Sequence, residues 1–343
     1  MDKRAAILVV DDENGIRQSF EKEVAYHRNE PERCQPFEKI VGEDKKIKDI
    51  FDLISKIADS EGAVLIQGES GTGKELAARA IHKLSSRREE PFVVVNCAAI
   101  PSTLMESAIF GHDKGSFTGA VRTHTGRLEI ADKGIVFLDD IDTLDINMQA
   151  KLLRVVQEKE FERLGSLKVI KIDSRFIAAA NRDIMELIKE GKFREDLFYR
   201  LNVFPVKMPP LRKRGKDIPL LLNYFLEQNE KNTGRPLKRF SKDAVNILMK
   251  YSWPGNVREL QNIVERSLTI SRNTVIHLKD LSAFHSKGNE IKDMSLKEAI
   301  NSFEKRYIRD ILDSVNGNRK EAAEMLGIHR NTLLGKINGL GLR

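Results

Sequence analysis

Four short runs of unbroken apolar residues punctuate the first two thirds of the chain: Ala63-Val64-Leu65-Ile66, Phe92-Val93-Val94-Val95, Ile135-Val136-Phe137-Leu138 and Phe176-Ile177-Ala178-Ala179-Ala180. Hydrophobicity with no polar alternation suits strands buried on both faces of a parallel sheet. Between these runs the apolar residues fall at helical spacing, as from Leu76 to Leu84, so residues 37–210 predict an α/β subdomain. After Pro209-Pro210 the strand-like runs stop, and 217–284 read as helices only, which predicts a helical lid subdomain over 211–284. The polar stretch 285–295, with Gly288 and Asn289, reads as a linker. Residues 296–343 form a last, all-α unit. Its first helix carries Ala299, Ile300, Phe303, Tyr307, Ile308, Ile311 and Leu312 on one apolar side, for core or dimer packing. At the other end, Ile7 to Val10 is a short β-type run closed by Asp11-Asp12-Glu13, with a possible helix from Ile16 to Val24 and a polar linker at 25–36.

Composition narrows the class. With 343 residues, 41% hydrophobic and 32% charged, the chain has room for two or three globular domains. No apolar run is long enough for a membrane span, and the N-terminus lacks the pattern of a secretory signal. Cys34 and Cys97 are far apart and have no metal-site spacing, which fits a reducing cytoplasm without a disulfide framework. The formal charge of +7 is compatible with a polyanionic partner and says nothing about fold.

Gly68-Glu69-Ser70-Gly71-Thr72-Gly73-Lys74 follows a strand and opens a helix at Glu75, the context a phosphate-binding P-loop requires. Backbone N–H groups and the helix N-terminus would hold the phosphates, and Lys74 would reach the β- and γ-phosphates. Glu75 stands where a Mg²⁺-binding Ser or Thr is usual. Ile135 to Leu138 followed by Asp139-Asp140 has the form of a Walker B strand, with Asp139 holding Mg²⁺ through water and Asp140 polarising the attacking water. An aspartate is one methylene shorter than a glutamate in that role, and a shortfall of about 1 Å can cost on the order of 10²-fold in rate.

Near the C-terminus, Asn318 to Leu334 places small alanines before Gly327 and a second helix from about Arg330, which is helix-turn-helix logic. Arg330, Asn331, Thr332 and Lys336 are the candidates for base or phosphate contact on double-stranded DNA. His329 stands at the helix start, where a Ser would cap well, and is expected to lose that cap. Gly335 inside the helix should cost about 1 kcal/mol of propensity. From Lys292 to Arg343, ten Lys/Arg stand against seven Asp/Glu, a net of +3, so DNA binding should be salt-sensitive and gain from avidity.

Between the P-loop and Asp139 lies Gly115-Ser116-Phe117-Thr118-Gly119-Ala120, whose two glycines allow a sharp projecting turn. With the GESGTGKE form of the P-loop, this hexapeptide closely resembles the signature loop of the bacterial enhancer-binding proteins, the AAA+ activators of sigma-54 RNA polymerase. The resemblance covers roughly residues 36–343 and ends in a Fis-type helix-turn-helix. It implies an AAA+ P-loop NTPase parallel sheet with a helical lid, and a loop that grips sigma-54. Asn96 matches the family's switch asparagine and Asn181 its sensor I residue, with Ala180 where threonine is common. Arg194 and Arg200 match the arginine fingers that act in a neighbouring subunit, and Arg258 matches sensor II. A trans-acting finger implies a homo-oligomer, a hexamer when active and a dimer at rest. Residues 1–24 resemble the first strand and helix of a response-regulator receiver, expected here as a truncated remnant without phosphorylation chemistry.

The resemblance implies a cytoplasmic transcription activator that couples ATP and Mg²⁺ binding, and hydrolysis, to remodelling of the sigma-54 polymerase closed complex. The alternative, motivated by Asp140 and Ala180, is a nucleotide-binding DNA regulator with weak or no ATPase and remodelling activity.

Overall fold

The computed structural model describes residues 40–117, 119–234, 236–271, 273–284, 296–315 and 318–340. The receiver-like stretch 1–24, the linkers 25–36 and 285–295, and Thr118 lie outside them. The chain divides into two compact units: one runs up to Phe225 and includes Ser252–Gln261, and the other comprises Leu226–Tyr251 and Asn262 onward.

In the first unit the elements are α1 (Lys45–Ile57), β1 (Val64–Gln67), α2 (Lys74–Leu84), β2 (Phe92–Asn96), α3 (Ser102–Phe110), β3 (Gly111–His112), β4 (His124–Thr125), α4 (Arg127–Ile130), β5 (Ile135–Asp139), α5 (Ile146–Glu158), β6 (Glu160–Glu162), β7 (Val169–Lys171), β8 (Arg175–Ala180), α6 (Ile184–Lys189), α7 (Glu195–Leu201) and β9 (Phe204–Lys207). Five strands form one parallel sheet in the order β2-β5-β8-β1-β9. The four apolar runs are its inner strands and one edge. The fifth strand, β9, escapes the hydrophobic reading because Phe204-Pro205-Val206-Lys207 is short and carries a proline, which a sheet tolerates at an edge.

The sheet is covered on both faces, and each strand alternates between them. Leu65, Val136, Leu138, Phe176, Ala178 and Ala180 belong to one buried cluster, with side chains from α3, α5 and α7. Val64, Ile66, Ile135, Phe137, Ile177 and Ala179 belong to the other, with α1 and α2. Every residue of β8 is buried. Helix starts are set locally: Asp44 caps α1 and Asp145 caps α5 by accepting N–H groups of their first turns. The far end of α1 is closed from a distance. Buried Arg175 donates to the carbonyls of Ile57, Ala58 and Gly62, satisfying groups that would otherwise be orphaned.

Helices α8 (Asp217–Thr233), α9 (Lys242–Lys250) and α10 (Asn256–Ile270) follow. The expected helices-only lid needs one correction: a two-residue parallel pairing, β10 (Arg239–Phe240) with β11 (Val275–Ile276), lies among them. Segments this short carry no periodicity to read. The last elements are α11 (Leu296–Ser314), α12 (Arg319–Met325) and α13 (Arg330–Gly339). They enclose a small core of Ile308, Ala322, Ala323, Leu333 and Ile337, with Ile311, Leu312, Leu326 and Ile328 packed against it.

Candidate active site

Parallel register brings the predicted nucleotide groups to one edge of the sheet. Asn96 is paired with Asp139 across β2 and β5, and Gln67 with Ala180 across β1 and β8. The residues that follow these strands therefore emerge side by side at the carboxyl ends, where open α/β sheets bind ligands. Gly68 continues the alignment, its N–H donating to the Ala180 carbonyl at 3.2 Å.

Lys74 is buried at the start of α2. Its Nζ donates to the carbonyls of Gly68 at 2.9 Å and Glu69 at 3.3 Å, and to the Oδ1 of Asn181. The Asn181 Nδ2 in turn donates to Asp140 Oδ1. One amide thus links the P-loop lysine to the second acid of the β5 end. Asp140 has the left-handed backbone (φ 54°) that begins a turn at Ile141–Thr143. Burial lowers the Lys74 pKa from its ordinary value, while Asp139, Asp140 and Asp142 pull the other way. Asp139 is shifted upward, first by burial and then by the neighbouring Asp140. The Cys97 thiol, buried behind the same acids, is pushed up to about 12, mainly by desolvation.

The rest of the P-loop is held by the expected Arg258 together with Arg212 and Asn256, which sequence reading missed. Arg212 pairs with the Glu69 carboxylate through both Nη atoms, with Nη1 at 2.7 Å. Asn256 is fully buried: its Oδ1 accepts from Leu211 N at 2.8 Å, and its Nδ2 donates to Ser70 O at 2.9 Å and Glu69 Oε2 at 3.3 Å. Val257 N donates to Gly71 O, and Arg258 Nη1 to Ser70 Oγ at 3.2 Å. Gly71 has φ +78°, and a Cβ there would meet the Gly255 carbonyl at 2.3 Å, so close approach as well as the dihedral demands glycine. Thr72 is buried and caps within the loop, its Oγ1 donating to Glu69 O. Glu75 turns along its helix to pair with Arg79, four residues on. The signals for Arg212 and Asn256 were weak, since each contact spans well over a hundred positions in sequence.

Asn96 is exposed, and its Oδ1 accepts from the N–H groups of Ala98 and Ala99. Arg194 precedes α7 as its N-cap residue and Arg200 lies in its last turn, and among the described residues neither bonds to Lys74, Asp139, Asp140 or Asn181. Arg194 makes a two-pronged pair with Asp196 at 3.1 and 2.7 Å, and Arg200 is exposed.

The hexapeptide sits on a separate frame. Strands β3 and β4 pair antiparallel at its base. Within it, Gly115 N donates to Ala120 O at 2.8 Å and Ala120 N to Phe117 O at 3.0 Å, making compact turns that leave Phe117 exposed. The Phe117 ring meets His112 edge-on at 5.0 Å, and His112 stacks on His124. The β6–β7 hairpin braces this frame. Asp113 N donates to Leu164 O, and Arg163 pairs with Glu129 at 2.6 Å and Asp113 at 3.3 Å. Gly165, at φ +75°, lies so close to Ser116 that a Cβ would come within 2.6 Å of the Ser116 Cβ. Leu167 at the hairpin tip is 93% exposed. The hairpin went unrecognised in the sequence because its strands are three residues each, too short to show a period.

In the C-terminal helices, Gly327 takes φ +64° between α12 and α13. The expected loss of a cap at His329 is corrected: the imidazole Nδ1 accepts from Asn331 N at 3.3 Å, doing what a Ser oxygen would do. Arg330, Asn331 and Thr332 are exposed at the start of α13, whereas Lys336 is paired with Glu304 of α11. Gly335 lies in the helix facing open space. The single apolar side expected for α11 is divided: Ile308 is buried in the core, while Ile300, Phe303 and Tyr307 are exposed, the last two with stacked rings. No helix among the described residues is long and apolar enough to cross a membrane.

Three family descriptions match in tandem: the sigma-54 interaction domain over residues 40–207, an AAA+ ATPase lid domain over 212–298, and the bacterial regulatory protein Fis family over 299–338. The chain is 44% identical to the regulatory protein AtoC of Escherichia coli over 334 residues, which cover 95% of this chain and 72% of AtoC. It is 44% identical to the nitrogen fixation protein AnfA of Azotobacter vinelandii, covering 91% of this chain and 59% of that protein. Among solved structures, NtrX from Brucella abortus in complex with ATP matches with a TM-score of 0.68 and 35% identity, over 95% of this chain and 73% of that one. The architecture is that of an AAA+ P-loop domain with a helical lid and a C-terminal helix-turn-helix, and the chain belongs to the family of sigma-54-dependent transcription activators.

Proposed function

We propose that the chain hydrolyses ATP and uses the energy, as a homo-oligomeric ring, to remodel the sigma-54 RNA polymerase closed complex from an upstream DNA site. The observation that carries this reading is the hydrogen-bonded link from Lys74 through Asn181 to Asp140, at a sheet edge where Arg258 also reaches the P-loop. Lys74 and Asn181 would bind the β- and γ-phosphates, backbone N–H groups of Gly68 to Glu75 would cradle them, and Arg258 would report on the bound state. Asp140 would orient the attacking water and accept its proton. Asn96 would adjust Asp140, and Arg194 and Arg200 would complete a neighbour's site.

The donor set suits a magnesium ion. Asp139 offers hard carboxylate oxygen at the strand end, and Mg²⁺ in such sites is held by one or two carboxylates, water and the substrate's phosphates. When bound, the ion neutralises charge on the phosphate oxygens. Gly115 to Ala120, which leaves the Phe117 ring exposed, would grip sigma-54. Arg330, Asn331 and Thr332 would meet DNA in the major groove, with Lys336 supporting α13 through Glu304 or turning to a phosphate. A cytoplasmic location follows from these partners.

The test is in vitro transcription from a sigma-54 promoter beside an ATPase assay. Lys74→Ala should abolish both, and Thr118→Ala should abolish open-complex formation while sparing hydrolysis. A second reading, a nucleotide-controlled DNA regulator without remodelling activity, draws support from the short Asp140 and from Glu75 being paired with Arg79. Wild-type turnover no faster than that of Lys74→Ala would favour it.

A further inference from the structure

Asp142 has no part in the reading above, yet it faces the same cluster. It sits in the turn Ile141–Thr143 that follows Asp140, half-buried, and its carboxylate points back at the end of β8. Oδ1 accepts from Asn181 N at 3.1 Å, and Oδ2 from Arg182 N at 3.3 Å. These N–H groups lie just beyond β8, where no strand neighbour takes them up. The turn itself is fixed to Asp140, because Thr143 donates to the Asp140 carbonyl through both its N–H (3.0 Å) and its Oγ1 (2.8 Å). One short segment therefore carries the acid that meets the Asn181 side chain and a second acid that holds the Asn181 backbone.

We propose that Asp142 is a positioning residue that fixes Asn181 between Lys74 and Asp140, and so sets γ-phosphate recognition and turnover. The proposal rests on the ATPase reading for the turnover part only. The chemistry is economical. A side chain held by its own backbone at a carboxylate keeps its direction, and an amide that must face a cation and an anion at once has little tolerance for rotation. Asp140 reaches Asn181 on a side chain of a single methylene, so its contact with Asn181 depends strictly on where Asn181 stands. Asp142 places a third carboxylate near Lys74, and the two N–H groups satisfy it there.

The test compares Asp142→Ala, Asp142→Asn, Asn181→Ala and the Asp142→Ala/Asn181→Ala double variant. Each is measured for kcat and KM and for the separate affinities for ATP and ADP in the full chain. Asp142→Ala should lower kcat about tenfold to a hundredfold, as expected for a group displaced by up to about 1 Å. It should also reduce the preference for ATP over ADP while leaving ADP affinity and melting temperature unchanged. Asp142→Asn keeps an acceptor for the Asn181 N–H and should recover most of the loss. The double variant should be no worse than Asn181→Ala, because both changes remove one placement. The proposal is overturned if Asp142→Ala leaves kcat and the ATP-to-ADP ratio unchanged. It is equally overturned if ADP affinity and melting temperature fall with them, or if the double variant's losses multiply. Wild-type turnover at the Lys74→Ala background sinks the ATPase reading instead, and the affinity ratio still decides the role of Asp142.

Discussion

The N–H of Arg194 donates to the side-chain oxygen of Gln149 at 2.8 Å, and Gln149 is completely buried. The same amide donates to Leu144 O at 2.8 Å and Lys192 O at 3.0 Å. A single side chain on α5 thus holds the backbone entering α7, where the candidate finger Arg194 begins the helix.

Gln149→Ala should therefore destabilise the fold well beyond its lost packing. Each buried backbone group left without a partner costs about 1–3 kcal/mol. Urea unfolding should show a lowered midpoint with an unchanged slope. Nucleotide affinity of the folded fraction should survive, since Lys74, Asp140 and Asn181 are bonded independently of it.

Gly71→Ala offers a sharper local test. The left-handed backbone costs an alanine roughly 1–2 kcal/mol, and its methyl would strike the Gly255 carbonyl. The Val257–Gly71 hydrogen bond and the reach of Arg258 to Ser70 should both be disturbed. ATP affinity measured by calorimetry should fall at least tenfold. Gly115→Ala, at a position with φ +84° but open space around it, should leave ATP affinity unaltered.

Arg163→Ala should loosen the hexapeptide's frame without touching the nucleotide groups. Its bonds to Glu129 and Asp113 tie the β6–β7 hairpin to the base of the loop. Hydrogen exchange should quicken across 111–125, while exchange in β8 stays slow. Because the pairs are only partly buried, global stability should change by no more than about 1 kcal/mol.

Cys97 should resist alkylation in the native state. Its thiol is buried and its pKa is pushed up to about 12 by burial and the adjacent acids, so almost no thiolate exists at pH 8. Peptide mapping after iodoacetamide treatment should find Cys97 unmodified until denaturant is added. Rapid native labelling would contradict the packing around β2.

Much of this molecule was legible in the sequence because the signals were local or strongly patterned. Runs such as Ile135 to Leu138 are apolar at every position because the sheet is covered on both faces, and the P-loop glycines stand where the backbone turns. What escaped detection was either too short or too distant. The β6–β7 hairpin and the β10–β11 pair offer two or three residues each, below any useful period. Gln149 looks like a surface residue of an amphipathic helix, and only the fold places it among carbonyls. Arg212 and Asn256 reach Glu69 and Ser70 across most of the unit's length. His329 was misjudged by residue type: an imidazole nitrogen can accept the same N–H as a hydroxyl.

Strand β8 joins two parts of this protein that its sequence keeps separate. Asn181 follows one end, and the hairpin carrying Arg163 precedes the other. Six residues of extended chain span roughly 20 Å. Parallel neighbours on both sides and complete burial leave that span almost no compliance. It works as a gauge bar. A change in spacing between the Asn181 cluster and the loop brace finds little room in the connection from Ile172 to Ser174 either: Ile172 N donates to Lys159 O at 2.9 Å, Asp173 N to Asp132 Oδ1 at 2.9 Å and Ser174 Oγ to Ala131 O at 2.7 Å. Insertions there would break those bonds and shift the spacing between the hairpin and β8 at the same time.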